Sequence, residues 1–215
     1  MNENNKNDIG ILILGNANVG KTSFISRFVQ NKFITTYSST QKLSQSFITK
    51  NIKIKGQPYE LKFLDSPADE KYISALKQYI QKIDCFIFMY DITNQKSFDD
   101  IEKWIKIVTD VKEKPKIAMI LLGNKRDMEH ERQIEEQDAE EFAKKKEVSF
   151  LETSNKDNND DNIHLAVEKL VNDIEEKREK RKKFGFEQDL NSEKTRVSLN
   201  KEKKSKKKNF WYSCC

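Results

Sequence analysis

Short continuous runs of hydrophobic residues alternate along this chain with segments in which hydrophobic residues recur every three or four positions. The runs at 9–14, 85–89 and 117–122 predict buried strands. The spaced positions predict amphipathic helices, because residues three and four apart share one helical face. They are Phe98, Ile101, Ile105 and Val108 in one segment, and Ile163, Ala166, Val167, Leu170 and Ile174 in another. Such alternation is typical of a mostly parallel sheet with helices on both faces, so the sequence predicts an α/β fold.

One pair of strands is predicted to be antiparallel. Residues 47–54 and 59–64 are strand-like, and they flank Lys55-Gly56-Gln57-Pro58, a stretch that contains turn-forming residues. We therefore expect a hairpin that supplies one antiparallel edge strand of the sheet.

The strongest chemical signal follows the first predicted strand. Gly15-Asn16-Ala17-Asn18-Val19-Gly20-Lys21-Thr22 has the spacing of a phosphate-binding loop and opens a predicted helix. Glycines let backbone N–H groups curl around phosphate oxygens, Lys21 neutralises the outer phosphates, and the Thr22 hydroxyl can ligate Mg²⁺. The alternative is an ordinary glycine-rich turn, which the flanking strand and helix disfavour. The expected phosphate contacts are Asn18, Val19, Gly20, Lys21, Thr22 and Ser23.

A second loop indicates which base the phosphates carry. Gly123-Asn124-Lys125-Arg126-Asp127 follows a predicted buried strand. A carboxylate at Asp127 can accept from the guanine ring N–H and the exocyclic amine together, a donor pair that adenine lacks. We expect Lys125 to lie across the base and Asn124 to tie this loop to the phosphate-binding loop. Taken alone, the segment would be a plausible polar turn.

A third loop follows the short predicted strand at 148–151. Its residues Ser154, Asn155 and Lys156 are expected to close over the guanine edge through backbone N–H groups. Taken alone, Glu152-Thr153-Ser154 would be a helix cap. The order and spacing of all three loops favour a guanine-nucleotide site.

In this order, the motifs resemble those of a small GTPase of the Ras superfamily, and most closely those of the Rab branch. The likeness covers roughly residues 9–177. Its most Rab-like piece is Phe88-Met89-Tyr90-Asp91-Ile92-Thr93-Asn94-Gln95-Lys96-Ser97-Phe98, and Trp104 fits the same pattern. The resemblance implies a P-loop NTPase fold that binds GTP or GDP with Mg²⁺. Its sheet would be six-stranded and mostly parallel, with one antiparallel edge strand and helices on both faces.

The loops that sense the third phosphate in this family depart here from the family pattern. Thr40 keeps the spacing of the threonine that closes over Mg²⁺ and the γ-phosphate, although it can also be read as one of several hydroxyl residues in a surface loop. Gln41-Lys42 stands where Rab proteins usually have Ile-Gly, which implies a different effector-facing surface. Asp65, at the end of a predicted strand, is expected to hold a Mg²⁺-bound water.

The segment Asp65-Ser66-Pro67-Ala68-Asp69-Glu70 stands where the family has Asp-Thr-Ala-Gly-Gln-Glu. Ala68 replaces the glycine whose N–H meets the γ-phosphate, and its Cβ restricts that approach. Pro67 stiffens the loop. Asp69 replaces the glutamine that orients the attacking water, and an ionised carboxylate cannot donate and repels the phosphate. With Lys21 and Asp69 as the catalytic candidates, we expect slow intrinsic hydrolysis; alternatively, Asp69 turns into solvent and a partner protein supplies the missing groups.

Composition fits one folded domain and a charged tail. The 215 residues, 36% of them hydrophobic, can form one α/β core. No apolar run approaches the roughly 20 residues that span a bilayer, and residues 1–6 lack the apolar core of a signal peptide, so we expect a cytosolic protein. Cys85 is expected to be a small buried hydrophobic residue. The predicted divisions are a flexible N-terminus at 1–8, a GTPase domain at 9–177, and a disordered basic tail at 178–215.

The tail carries the charge imbalance of the chain. Residues 201–208 hold six lysines and one glutamate, a net charge of +5 that equals that of the whole chain. The following Cys214 and Cys215 resemble the double prenylation site of Rab proteins, which implies lipid anchoring to the cytosolic face of an endomembrane. The alternatives are a reactive thiol pair or a nucleic-acid-binding tail, for which the folded part has no basic face with interleaved aromatic residues.

Two functions remain after this reading. The first is a monomeric, membrane-anchored GTP/GDP switch of vesicle trafficking that hydrolyses GTP slowly. The family resemblance implies effectors, an exchange factor, an activating protein and a dissociation inhibitor as its partners, and no nucleic acid. The second is a membrane-tethered GTP-binding scaffold that barely hydrolyses GTP.

Overall fold

A mixed β-sheet organises the chain in the computed structural model, which describes residues 7–33, 47–68, 70–157 and 159–183. Within these residues the sheet has six strands in the order β2-β3-β1-β4-β5-β6, and only β2 runs antiparallel to its neighbour. This confirms the predicted sheet with one antiparallel edge strand. The strands are β1 (Asp8–Leu14), β2 (Ile48–Ile54), β3 (Gln57–Asp65), β4 (Cys85–Asp91), β5 (Ala118–Asn124) and β6 (Ser149–Thr153).

Helices connect the parallel strands. They are α1 (Lys21–Gln30), α2 (Ile73–Ile80), α3 (Gln95–Asp99), α4 (Ile101–Thr109) and α5 (Glu136–Lys146), with short 3-10 turns at Glu70–Tyr72, Lys114–Lys116 and Arg126–Glu131. The chain divides into two units, Met1–Glu175 and Glu176–Cys215. In the first, a last helix, α6, begins at residue 162; in the second, the described residues 176–183 are helical.

The predicted hairpin is present, but its turn is shorter than the sequence indicated. Lys55 and Gly56 alone form the turn, with φ of 49° and 80°. Gln57 pairs with Ile54 and Pro58 pairs with Lys53, so both belong to β3. A two-residue turn with positive φ at both positions matches the twist of the flanking strands, which explains why it is preferred over the longer loop.

The hydrophobic core lies on both faces of the sheet. Ile11 of β1 belongs to the cluster that contains Phe24 and Phe28 of α1, whereas Leu12 belongs to the cluster that contains Trp104 of α4. This division follows from the alternation of side chains along a strand. The predicted helical stripes are buried, with Phe98 half-buried, and Cys85 is buried in β4 as a free thiol.

Membrane spans are absent from the described part of the chain, in which no helix is both long enough and apolar enough to cross a bilayer. The carboxyl ends of β1, β3, β4, β5 and β6 all meet at one edge of the sheet, because these strands are parallel. Loops at this edge of an α/β sheet are the usual place for a ligand site.

Candidate nucleotide-binding site

The phosphate-binding loop turns from β1 into α1 at this edge of the sheet. Gly15 and Gly20 have φ of 148° and 102°, which lie in a backbone region that residues with a side chain rarely adopt. A Cβ at Gly15 would collide with the carbonyl oxygen of Met89, and one at Gly20 would collide with the side-chain amide of Asn124. Both glycines are therefore required by conformation and by close approach.

Lys21 reaches back over this loop. Its Nζ donates to the carbonyl oxygens of Gly15 at 2.8 Å and Asn16 at 2.7 Å, and the residue is 7% exposed. Burial lowers the pKa of Lys21 to about 8, and the nearby carboxylate of Asp65 partly opposes this effect. An anionic ligand at the loop would favour the charged ammonium further.

Thr22 and Asp65 meet beside Lys21. Thr22 Oγ1 donates to Asp65 Oδ2 at 2.6 Å, joining the first turn of α1 to the end of β3. Hydroxyl and carboxylate oxygens are ligands that Mg²⁺ prefers, so this pair fits the ion. The described residues contain no group of three or more His, Cys, Asp or Glu that could hold a metal, and Mg²⁺ commonly takes its remaining ligands from phosphates and waters. Thr40, the third predicted ligand, lies outside the described residues.

The segment after Asp65 is held against the sheet. The buried Ser66 hydroxyl donates to the carbonyl oxygen of Ile13 at 2.5 Å, and Pro67 is also buried. Ala68 lines a cavity of about 420 Å³ together with Ala17 of the phosphate-binding loop. Ala68 and the phosphate-binding loop therefore border the same cavity, whereas Asp69 lies outside the described residues.

The predicted guanine loops lie beside the phosphate-binding loop. Asn124 Nδ2 donates to the carbonyl oxygen of Val19 at 2.7 Å, which links the end of β5 to that loop. Asp127 Oδ1 accepts from the Ser154 hydroxyl at 2.6 Å, and its Oδ2 lies 3.9 Å from Nζ of Lys156. The structure thus brings the carboxylate and the third loop together at one corner of the site.

Lys125 has a partner that the sequence did not predict. Its Nζ lies 2.5 Å from Oδ2 of Asp91, the last residue of β4. The backbone of Lys125 has a φ of 71°. Asp91 is 5% exposed and its Oδ1 also accepts from the backbone and hydroxyl of Thr93. This ion pair fixes the position of the Lys125 ammonium group. It forms because β4 pairs with β5, so that Asp91 lies opposite Asn124, the residue before Lys125.

An anchor that the sequence did not predict holds the phosphate-binding loop against α4. Asn16 Nδ2 donates to Asp100 Oδ2 at 2.7 Å, and Trp104 Nε1 donates to Asn16 Oδ1 at 3.0 Å. Asn16 therefore joins that loop to α4 through both ends of its amide. The Trp104 indole at a helical face was the available signal, since a buried indole N–H usually has an acceptor.

A second missed feature supports the loop after β6. Arg132 donates to Glu152 through two nitrogens, from Nη1 to Oε1 and from Nη2 to Oε2, both at 2.7 Å. The side chains are 9% and 2% exposed. Hydrogen bonds to Glu152 and Glu129 raise the pKa of Arg132, so the guanidinium stays charged.

Comparison with known proteins gives one family and a set of similar relatives. The family model described as "Ras family" matches residues 10–176. Ras-related protein Rab-13 of Rattus norvegicus is 33% identical over 164 residues, which cover 76% of this chain and 78% of the relative. Ras-related protein Rab-12 of Mus musculus is 36% identical over 166 residues, covering 76% and 66%. Ras-related protein Rab-30 of Homo sapiens is 32% identical over 164 residues, covering 76% of each.

Proposed function

The chain belongs to the Rab family of small GTPases in the Ras superfamily, and we propose that it is a membrane-anchored switch with slow GTP hydrolysis. The observation that carries the nucleotide part of this proposal is the hydrogen bond from Asn124 Nδ2 to Val19 O. It fixes the loop that would read the base beside the loop that would hold the phosphates. A site of this shape suits a nucleoside diphosphate or triphosphate.

The roles of the residues follow from their chemistry. The phosphates are held by Lys21, Thr22 and the backbone amides of 18–23, and the third phosphate lies near Ala68 and Thr40. Mg²⁺ is held by Thr22, Asp65 and Thr40, and it would neutralise phosphate charge when bound. Asp127 accepts from the guanine N–H groups, and its 2.6 Å contact with Ser154 supports the carboxylate in that position. The other base contacts are Asn124, Lys125, Asn155 and Lys156.

Slow hydrolysis is proposed from the residues at 68 and 69. A carboxylate at Asp69 cannot donate a hydrogen bond to the developing phosphate charge and repels it instead. Ala68 lines one cavity with Ala17 of the phosphate-binding loop, and a Cβ at this position limits how closely its backbone N–H can approach the third phosphate. We expect a rate lower than that of an ordinary relative by about tenfold or more, where tenfold is equivalent to about 1.4 kcal/mol on the barrier.

Single-turnover hydrolysis tests this part of the proposal. The full chain is loaded with GTP, and phosphate release is followed for wild type, Asp69→Gln, Asp69→Ala and Ala68→Gly. We expect Asp69→Gln to accelerate the reaction and Ala68→Gly to add to that gain. A wild-type rate in the ordinary range that Asp69→Ala leaves unchanged would contradict the assignment.

A membrane-tethered scaffold that does not hydrolyse GTP is the second candidate. The observation that favours it is the burial of Pro67 beside Ala68, since a stiff loop makes it harder to distinguish GTP from GDP. A ligand shifts a conformation only through differential contacts. Equal affinities for GTP and GDP together with negligible turnover would favour the scaffold, whereas a clear preference and measurable turnover favour the switch.

Membrane anchoring is proposed from residues 184–215 of the tail, which lie outside the described residues. A lipid on Cys214 and Cys215 together with the six lysines of 201–208 gives two attachment signals, and each lysine adds about 1 kcal/mol near an anionic leaflet. Replacing both cysteines by serine should release the protein from membranes in cell fractionation. Unchanged membrane association would count against prenylation. We expect the protein to act as a monomer with effectors, an exchange factor, an activating protein and a dissociation inhibitor.

A further inference from the structure

We infer that Arg27 and Asn155 form a brace that sets the rate of nucleotide release, an inference that rests on the proposed nucleotide site. Both are positioning residues: they hold the 154–156 loop against the phosphate-binding loop. The brace consists of the Arg27 guanidinium, the Asn155 backbone and the Asn155 side-chain amide.

Asn155 is bonded on two sides. Its Nδ2 donates to the carbonyl oxygen of Gly20 at 3.0 Å, and its backbone N–H donates to Asn124 Oδ1 at 3.3 Å. Gly20 O also accepts from the backbone N–H of Phe24 at 2.8 Å, so Asn155 is attached to the carbonyl that begins α1. Movement of the base loop must therefore break a contact with the phosphate-binding loop.

The carboxamide of Asn155 is deeply buried. The residue is 3% exposed, and its Oδ1 has no hydrogen-bond partner among the described residues. A buried acceptor without a partner lowers stability, so Oδ1 is an unfavourable part of this side chain. The Nδ2 bond to Gly20 is what the amide gains at this position.

Arg27 holds the same loop from the α1 side. Its Nε donates to the carbonyl oxygen of Asn155 at 2.9 Å and its Nη2 donates to that of Lys156 at 3.3 Å, while Nη1 donates to that of Asn31 at 3.3 Å. The residue is 6% exposed. Hydrogen bonds from a charged donor are stronger than neutral ones, so the buried guanidinium fixes the path of the loop.

Both halves of the brace oppose one motion. Opening the base corner requires residues 154–156 to leave Gly20 and Arg27 together, whereas the phosphate contacts of Lys21 and Thr22 are not involved. Loss of either half should therefore accelerate dissociation while leaving the association rate nearly unchanged. Because the two halves meet at Asn155, their effects should be less than additive.

Release of a fluorescent GDP analogue from the full-length protein tests the brace. With Mg²⁺ and excess unlabelled GDP, we expect about three- to tenfold faster release for Asn155→Ala and about tenfold or more for Arg27→Ala. Asn155→Asp, which keeps the size but loses the Nδ2 donor, should release at least as fast as Asn155→Ala. Asn51→Ala, at an exposed position of β2 outside the site, is the matched control and should behave as wild type.

The outcomes separate the brace from the proposed site and from a general stability effect. No binding of the analogue by wild type would overturn the proposed function, and the brace with it. Normal binding by wild type with unchanged release from Asn155→Ala and Asn155→Asp would overturn the brace alone. If Arg27→Ala does not fold, Arg27→Lys is used, which keeps the charge but has a single nitrogen that cannot reach all the carbonyls bonded by Nε, Nη1 and Nη2 of Arg27. Faster release at an unchanged association rate and melting temperature supports the brace. An equal acceleration of release in Asn51→Ala overturns it.

Discussion

Thr22 Oγ1 and Asp65 Oδ2 are joined by a 2.6 Å hydrogen bond that connects the start of α1 to the end of β3. The two residues are 43 positions apart in the sequence, and the parallel pairing of β1 with β3 brings them together. Lys21 lies next to this pair over the phosphate-binding loop. The arrangement places the two proposed Mg²⁺ ligands and the proposed phosphate-binding cation in one corner.

Thr22 gives the first prediction. Thr22→Val keeps the shape of the side chain but removes the hydroxyl, so Mg²⁺ should stabilise bound nucleotide at least about tenfold less than in wild type. The measurement is GDP release with and without a chelator. Thr22→Ser, which retains the hydroxyl, is the control and should keep most of the Mg²⁺ effect; a normal Mg²⁺ effect in Thr22→Val would remove Thr22 from the ligand set.

Asp127 gives a prediction about base recognition. Asp127→Asn replaces one acceptor oxygen by a donor, so the affinity for GDP should fall by about a hundredfold or more relative to wild type. Xanthosine diphosphate, which has an oxygen in place of the exocyclic amine, should bind the variant better than it binds wild type. Competition titrations with both nucleotides check this. Parallel losses for both would show that the substitution only disturbs the contact with Ser154.

The Arg132–Glu152 ion pair gives a prediction about stability. Glu152→Gln leaves the Arg132 guanidinium with Glu129 as its remaining charged partner, so the free energy of unfolding should fall by about 2 kcal/mol. Denaturant unfolding of the nucleotide-free protein measures it. Glu131→Gln, at an exposed position, is the control, and a loss below about 0.5 kcal/mol for Glu152→Gln would contradict the inferred role of the pair.

His164 gives a prediction about pH. Partial burial lowers the pKa of His164, whose ring lies 5.0 Å from that of Phe28, below its usual 6.5; the positive charge of Lys50 lowers it further, and the negative charge of Asp161 partly opposes both effects. The folded state therefore binds fewer protons than the unfolded state near this pKa. The contribution of His164 to the free energy of unfolding should be fully present above about pH 6.5 and should be lost as the pH falls through the pKa of the folded state.

Proton NMR can test this directly, because the chain has two histidines. The His164 resonance should titrate below 6.5, and Lys50→Gln should move its midpoint upward. His130→Gln assigns the two signals. A midpoint at or above 6.5 for His164 would contradict the effect of burial.

The sequence predicted the parts of the fold that depend on local pattern. The buried runs of β1, β4 and β5 and the stripe from Ile163 to Ile174 were readable because strand and helix periodicity repeat over a few residues. The phosphate-binding and base loops were readable because each is a contiguous motif. The turn at Lys55 and Gly56 was placed less well, since a strand can extend through Gln57 and Pro58 without a hydrophobic signal.

Contacts between distant segments were not predictable in the same way. Asn16 meets Trp104 across 88 positions, and Arg27 meets Asn155 across 128. Their meeting depends on strand order and on the path of each helix, which no local pattern encodes. The Lys125–Asp91 pair likewise follows from β4 lying beside β5. Asn16, Lys125 and Asn155 belong to the loop motifs, but their partners in other elements do not, and it is these pairings that the sequence did not predict.

Competition for one fluorescent guanine nucleotide tests the central claim most directly. The wild-type protein is loaded with the analogue in the presence of Mg²⁺ and challenged with GDP, GTP, ATP or inorganic phosphate. The site built from Lys21, Asn124 and Asp127 predicts displacement by GDP and GTP at low concentrations and none by ATP or phosphate at the same concentrations. Equal displacement by ATP, or no binding of the analogue at all, would contradict it.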